Sequence, residues 1–500
     1  MTITKRKQAQ AIGNVLCAAA LFLGFLCFFS GRFYVSTFGR LGFDSVLYTL
    51  SAGLVGVQSG QITRWLLMGF LPAVLFSCLT YVLLFRKKRK SGKYAKGDTP
   101  KSHPRRYSLL LALCLTVFTA FDVEFVDYLF HQHADTDLYE TYYRDPAKVK
   151  ITFPEEKRNL VYIMLESMET SYLSRDLGGT MDENLIPELY DLANQNLCFS
   201  DSNRKVGGFY TTKGATWTIG SMVAQTAGIP LKTPTEDVNQ YGAAGEAFLP
   251  GVTSLTNILH DAGYTQALMV GSDVRFGGRQ VYYEQHGMDA IYDLYTARKD
   301  EIIPKDYFVW WGMEDLHLFR YAKQEITELA QQDKPFAFTM LTVDTHHVGG
   351  YQCELCEESS SGESYDQSIS CSSRQVADFV KWLQAQPFYE NTTIIIVGDH
   401  ESMDNGYFSR MGDSGYQRLL YNCFINTPTA APKTTNRKFA AVDLFPSTLA
   451  AIGCSIDGER LGLGTNLFSG AKTLTEMLGF DYFNNELAKA SSYYEEHFWE

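Results

Sequence analysis

The chain opens with long apolar runs and then changes character. Residues 11–30 (AIGNVLCAAALFLGFLCFFS) and 65–85 (WLLMGFLPAVLFSCLTYVLLF) carry no charge, and about 20 helical residues cover the ~30 Å of a bilayer core. A third run, 107–121, is shorter and is expected to span with Arg106 snorkelling at one end. Beyond residue 150 the apolar runs shrink to strand length: Asn159–Leu165 (NLVYIML), Thr265–Val270, Phe336–Val343 (FAFTMLTV) and Thr393–Val397 (TIIIV). Continuous apolar runs of this size suit strands buried on both faces, as in parallel sheets. Helical stretches lie between them, at 251–262 and 374–386. The pattern predicts an α/β fold, a mostly parallel sheet between helices, behind a membrane anchor. The expected organisation is an anchor of about three transmembrane helices over 1–125, a juxtamembrane connector over 126–155, and an α/β domain over 156–500.

Charge divides the chain at the same place. Of 44 Lys+Arg and 56 Asp+Glu, residues 1–120 hold 16 and 2, leaving 28 and 54 for the rest; a net of +14 is joined to a net of −26. Such halves belong in two environments. Lys5, Arg6 and Lys7 precede the first run, and the segment 86–106 holds ten Lys/Arg and one acid. Both are expected on the cytoplasmic side, which puts 31–64 and everything after about residue 125 outside. A basic run lodged between apolar spans is a topology signal rather than a nucleic-acid site. The first run is read as a retained span, because no small-residue cleavage site follows it. A chain with 45% hydrophobic and 20% charged residues is not a disordered one, and ten cysteines in 500 residues do not make a disulfide scaffold.

In parallel sheets ligands gather at the carboxyl ends of the strands. Here Glu166-Ser167 follows the first strand, Asp344-Thr345-His346-His347 the third, and Gly398-Asp399-His400-Glu401 the fourth. Carboxylate and imidazole on separate strand ends are the ligand set of a divalent cation. Further along, Gly214-Ala215-Thr216-Trp217-Thr218-Ile219-Gly220-Ser221 leads into the helical run MVAQTAG. Threonine is a common N-cap residue, yet that helix start also favours an anionic phosphate, and a metal or base would make a threonine hydroxyl nucleophilic. His131 and His133, in the connector, read as an exposed pair.

Taken together, NLVYIMLESME, GATWTIGSMVAQTAGIPL, GSDVRFGG, LTVDTHH and IIIVGDH, with the tail blocks DLFPSTLAAIG and LGLGTNLFSG, resemble the phosphoglycerol transferases over about 155–470. That group includes the periplasmic-glucan phosphoglycerol transferase and, more distantly, lipoteichoic acid synthase. The resemblance implies a membrane-anchored, extracytoplasmic domain of alkaline-phosphatase/sulfatase-like fold in a bacterial cell membrane. It implies that Glu166, Asp399 and His400 hold a metal with the catalytic threonine. The metal is usually Mn2+, with Mg2+ and Zn2+ as alternatives. It assigns His346, and more loosely Arg279, to the substrate phosphate or glycerol. His347 and Trp217 are candidates for lining the same pocket, with packing as their other reading. Two threonines compete as nucleophile. Thr218 has Ser221 three positions on and Gly228 ten positions on, as in the sulfatase frame; Thr216 fits the longer lipoteichoic acid synthase spacing. Thr218 is the expected nucleophile. Neither position carries the Cys/Ser-x-Pro-x-Arg pattern of a true sulfatase.

The implied activity moves phosphoglycerol from phosphatidylglycerol to a cell-envelope glycan through a phospho-threonine intermediate. The alternatives are a polyglycerophosphate synthase of the lipoteichoic-acid type, a phosphoethanolamine transferase, a metal phosphodiesterase, or a catalytically dead glycan- or lipid-binding module. Specificity is expected from loops 231–250 and 348–370. Cys17, Cys27, Cys78 and Cys114 fall in the apolar runs and read as packing residues. Cys353-x-x-Cys356 reads as half of a zinc site without a second CxxC, or as a source of a disulfide to Cys371; the disulfide is the expectation in an oxidising compartment.

Overall fold

A computed structural model describes residues 3–39, 42–44, 46–47, 59–85, 103–232, 247–359, 361–410 and 415–499. The chain divides into two compact units, Met1–Phe43 with Val57–Leu129, and Asp44–Gly56 with Phe130–Glu500.

The first unit is helical. Helix α1 (Ile3–Phe38) contains an apolar span of 28 residues, Ala11–Phe38, and continues past the predicted end at residue 30. Its extension tolerates Arg32 because the guanidinium reaches the buried Asp122 carboxylate at 2.9 Å. The second span, Ile62–Phe85, ends in helix α2 (Leu71–Phe85), which follows a π turn at Leu66–Phe70. Helix α3 (Pro104–Asp122) meets helix α4 (Phe125–Gln132) at a 67° bend. Among the described residues, two helices are thus long and apolar enough to cross a membrane, and three if the bent pair is one span. Helices α1 and α3 approach closely: a Cβ on Gly24 would lie 2.9 Å from the Ala112 Cα, the small-residue packing of membrane helices. The basic segment 86–102 and residues 48–58 lie outside the described residues.

The second unit is built on a sheet. Its strands are β2 (Asn159–Leu165), β3 (Gly208–Phe209), β4 (Thr265–Val270), β5 (Ala290–Tyr292), β6 (Phe336–Leu341), β7 (Thr392–Gly398) and β8 (Leu420–Ile425); β1 (Ile151–Thr152) pairs separately with β9 (Ser455–Ile456). The sheet order is β3-β8-β7-β2-β6-β4-β5. Strands β7, β2, β6, β4 and β5 run parallel; β8 is antiparallel to β7, and β3 to β8. All four predicted strands form, and the α/β class is borne out. Alternate residues feed two cores: Leu160, Tyr162 and Met164 of β2 face one, Val161, Ile163 and Leu165 the other. This two-sided burial is why the strands read as unbroken apolar runs.

Two helix boundaries differ from expectation. The stretch 251–262 is helical only over Leu255–Asp261, where Ser254 and Asn257 form a capping box. The stretch 374–386 belongs to α7, which begins ten residues earlier and covers Ser364–Gln384; α5 (Thr218–Ala227) and α6 (Asp315–Leu329) precede it. The early turns of α7 bury Asp366, Ser368, Ser372 and Ser373 beside Tyr365 and Ile369. A buried face that is half polar carries no hydrophobic period.

The strand register positions the site. Leu165 of β2 stands opposite Gly398 of β7, and Met164 opposite Leu341 of β6. Three adjacent parallel strands therefore end level, and whatever follows them meets at one edge.

Candidate active site

Glu166 follows β2 and Asp399-His400 follow β7, so level strand ends bring the three side chains together. Their ligand atoms lie within 4.8 Å of one another, and all three residues are buried. His400 Nε2 is 3.5 Å from Glu166 Oε1 and 3.4 Å from Asp399 Oδ2. Neighbouring backbone sets each orientation. The Glu166 amide donates to Thr342 Oγ1 at 2.9 Å, and the Thr345 hydroxyl donates to the Glu166 carbonyl. Asp399 Oδ1 accepts from the amides of Ser167 at 2.8 Å and His400 at 2.6 Å. Its other oxygen, Oδ2, is buried without a hydrogen-bond partner. The His400 Nδ1–H donates to the Glu401 carbonyl at 2.8 Å, which leaves the Nε2 lone pair facing the two carboxylates.

Thr218 is the first residue of α5, and its Oγ1 lies 3.4 Å from His400 Nε2. The helix is tied to the end of β7: Ser221 Oγ donates to the Asp399 carbonyl, and Gln225 Nε2 donates to the Gly398 carbonyl at 3.2 Å and to Ser221 Oγ at 2.9 Å. The first intrahelical bond runs from the Ser221 amide to the Trp217 carbonyl, so the amides of Thr218, Ile219 and Gly220 precede the helical ladder. Such a helix start favours an anion. Gly220 is required by closeness, since a Cβ there would sit 2.5 Å from the Gly214 carbonyl. Thr216 differs in its contacts: its Oγ1 is buried with no hydrogen-bond partner.

His346 and His347 lie on the loop after β6. Their rings stack at 4.4 Å, and the His346 Nδ1–H donates to the His347 carbonyl at 2.7 Å. Burial pushes the His346 imidazole down to about 4, with His400 acting in the same direction. His346 is therefore neutral at physiological pH, with its Nε2 lone pair free of the proton. Burial likewise holds His347 well below the ordinary histidine range. Arg279 is 4% exposed and pre-oriented: Nε donates to the Phe276 carbonyl at 3.0 Å, and Nη2 to Ser272 Oγ at 3.0 Å and the Asp273 carbonyl at 2.6 Å. Its positive charge is felt at His346. Trp217 is 4% exposed and part of a hydrophobic core.

Several neighbours of this group were not anticipated. Trp311 packs on His346 with ring centroids 4.4 Å apart and touches Phe276 at 6.0 Å, linking the His346 loop to the Arg279 turn. The only sequence signal was a paired tryptophan in a Gly-flanked stretch. Glu169 is fully buried and receives Arg418 through a two-pronged contact, Nε at 2.7 Å and Nη2. The Ser402 amide donates to Glu169 Oε1 at 2.7 Å, which pins the segment just after His400. Ser167, Thr342 and Thr345 are small polar residues whose role depends on contacts across the sheet.

The electrostatics call for a cation. Burial raises Asp399 to about 7, with Glu166 adding in the same sense. Burial opposes a charge on His400, but Asp399 and Glu166 outweigh it and raise its pKa. Two buried carboxylates, an imidazole lone pair and an unpartnered Oδ2 suit a divalent ion, with Thr218 Oγ1 beside them. The donor set therefore fits the metal that the resemblance implies.

Comparison with known proteins agrees with this geometry. The sulfatase family model matches residues 158–454. A phosphoglycerol transferase I of Citrobacter koseri is 30% identical over 454 residues, covering 87% of this chain and 54% of that protein. The enzyme of the same name from Shigella flexneri is 29% identical over 444 residues, covering 85% and 53%. The chain thus spans about half the length of these relatives. Among solved structures, the lipoteichoic acid synthase of Listeria monocytogenes superposes with a TM-score of 0.50 at 16% identity, over 64% of this chain and 79% of that one, which speaks to the fold. The level strand ends, the acidic metal-type group and the matched span converge on one assignment: the chain belongs to the sulfatase family.

Proposed function

We propose that this chain is a membrane-anchored, metal-dependent phosphotransferase that moves phosphoglycerol from phosphatidylglycerol to a hydroxyl of a cell-envelope glycan. The observation that carries the reading is Thr218: a hydroxyl at a helix start, 3.4 Å from His400 Nε2, beside Glu166 and Asp399. The apolar helices support a membrane anchor over 1–125, and the basic segments at its start and over 86–106 are what favour an extracytoplasmic domain over 156–500, joined by 126–155. An anchored site works on a lipid donor at high effective concentration. The relatives named phosphoglycerol transferase I support the donor class.

Glu166, Asp399, His400 and Thr218 would hold the ion, Mn2+ by family likeness. When bound it lowers the hydroxyl pKa and offsets charge on the phosphoryl oxygens. Thr218 Oγ1, its proton lost to solvent, forms a bond to phosphorus while the bond from phosphorus to the diacylglycerol oxygen breaks, and that oxygen takes a proton from solvent as diacylglycerol leaves. The first-turn amides of α5 receive a non-bridging oxygen. The acceptor hydroxyl then attacks phosphorus, His346 Nε2 takes its proton, and Thr218 is released. Arg279, held by three hydrogen bonds, supplies positive charge near His346, and Trp311 walls the same region.

The test incubates the full chain in detergent micelles with phosphatidylglycerol, phosphatidylethanolamine, or a soluble aryl phosphate or sulfate ester. Expected is diacylglycerol release from phosphatidylglycerol that stops with excess chelator and returns with Mn2+. Turnover of phosphatidylethanolamine alone would make it a phosphoethanolamine transferase. Turnover of the soluble esters alone would overturn the lipid-transferase reading.

His346 carries its own prediction. A base whose pKa lies near 4 stays neutral through the neutral range. The transfer limb of a pH–rate profile should therefore stay flat from pH 8 to about 5 and fall below that. His346→Gln should remove the acid limb and slow transfer to acceptor more than diacylglycerol release. An acid limb near the ordinary histidine value of about 6.5, or equal slowing of both steps, would exclude this role.

A further inference from the structure

Away from the Glu166–Asp399–His400 group, three cysteines converge. Cys353 and Cys356 lie in the segment between β6 and α7, and Cys371 is on α7 itself. Cys353 Sγ is 3.8 Å from Cys356 Sγ and 3.7 Å from Cys371 Sγ, and all three sulfurs lie within 4.8 Å of one another. All three are free thiols, so the expected disulfide to Cys371 is not formed.

We propose that Cys353, Cys356 and Cys371 form a second metal site that takes a thiophilic divalent cation of the zinc class. The distances fit: a tetrahedral site with metal–sulfur bonds of about 2.3 Å has sulfur–sulfur edges about 1.63 times longer, roughly 3.8 Å. A disulfide needs two sulfurs at about 2.05 Å and would leave the third thiol odd.

The surroundings fit as well, because they offer donors to sulfur. Gln375 Nε2 donates to Cys371 Sγ at 3.5 Å and to Cys353 Sγ at 3.8 Å. Gln375 stands one helical turn beyond Cys371, so both face the site. The Cys356 amide also donates to the Cys353 carbonyl at 3.1 Å, closing the CxxC turn. N–H groups aimed at sulfur stabilise thiolates and orient them for a metal. Cys353 and Cys371 are buried and Cys356 is partly exposed, so three protein sulfurs would leave the fourth ligand to water or an exogenous group.

The ion would be structural. The segment it clamps to α7 is the one that carries His346, and the Tyr351 amide already returns to the Asp344 carbonyl at 2.7 Å. A pin at 353–356 sets the far end of that loop. This inference does not rest on the proposed transferase activity.

The experiment uses the full chain, equilibrated with ZnCl2 and desalted, in wild-type form and as Asp399→Asn and Asp399→Asn/Cys356→Ser. Elemental analysis gives zinc per chain, and intact mass after alkylation gives the reactive thiols. Asp399→Asn should retain about one zinc, and the double variant none. In Asp399→Asn the three thiols should alkylate only after chelation. The alkylation readout needs no cysteine variant, so a misfolded double mutant does not hide the answer. Two outcomes overturn the proposal. One is a chain about 2 Da lighter whose paired thiols react only after reduction, which means a disulfide. The other is Asp399→Asn without zinc and with all three thiols freely reactive.

Discussion

Replacing Thr218 with alanine is expected to lower diacylglycerol release by about 10⁴-fold or more, equivalent to at least ~5 kcal/mol of transition-state stabilisation. It should also abolish a glycerophosphate adduct on the protein. Removing a covalent nucleophile removes the two-step route, and the remaining groups bind but do not substitute for it. Thr218→Ser keeps a hydroxyl at the start of α5 and should retain activity within about 100-fold. Thr216→Ala deletes a buried hydroxyl with no hydrogen-bond partner and should leave turnover within about threefold. Intact mass after a donor-only incubation separates the cases. An adduct lost in Thr216→Ala and kept in Thr218→Ala would keep the chemistry and move the nucleophile two residues. An adduct in both would place it elsewhere.

The second large effect is on stability. Arg418→Ala should destabilise the second unit by about 3–5 kcal/mol, because it leaves Glu169 buried without its partner. Arg418 is partly exposed, but Glu169 is not, and the cost follows the stranded carboxylate. Arg418→Lys keeps the charge and loses the planar fork, so an intermediate loss is expected. The change should reach the metal group as well, since Glu169 Oε1 accepts from the Ser402 amide two residues past His400. Metal affinity should fall with stability, by about 10-fold or more as for other groups that orient metal ligands. Unfolding in denaturant, read with a metal titration, checks both. A midpoint shift below about 1 kcal/mol would show that Glu169 finds another partner or protonates at small cost.

Several features were legible because they are local. An uncharged run of bilayer length needs no tertiary context, and α1 and the Ile62–Phe85 span follow from composition alone. Strands β2, β4, β6 and β7 were visible because burial on both faces leaves no polar position in the run. Residues following such strands are candidates by the geometry of parallel sheets, which is how Glu166, Asp399 and His400 were singled out. The family likeness came from the same blocks. Strand β8 (LYNCFI) buries Asn422 in the middle of its run, and the early turns of α7 bury serines and an aspartate, so neither shows an unbroken apolar pattern.

What the sequence determined by itself is the division into a basic apolar segment and an acidic α/β domain, the main parallel strands, and the short list of polar groups at their ends. These depend on the order of residues within a few turns or one strand. The tertiary structure alone decided which groups meet. It levelled the ends of β2, β6 and β7, and set Thr218 against His400, 182 residues away. It paired Glu169 with Arg418 across 249 residues and gathered three thiols round Cys353. Register between strands and the tie of α5 to β7 through Ser221 and Gln225 come from packing and hydrogen bonds that close only when distant segments are in place. No local pattern encodes those distances.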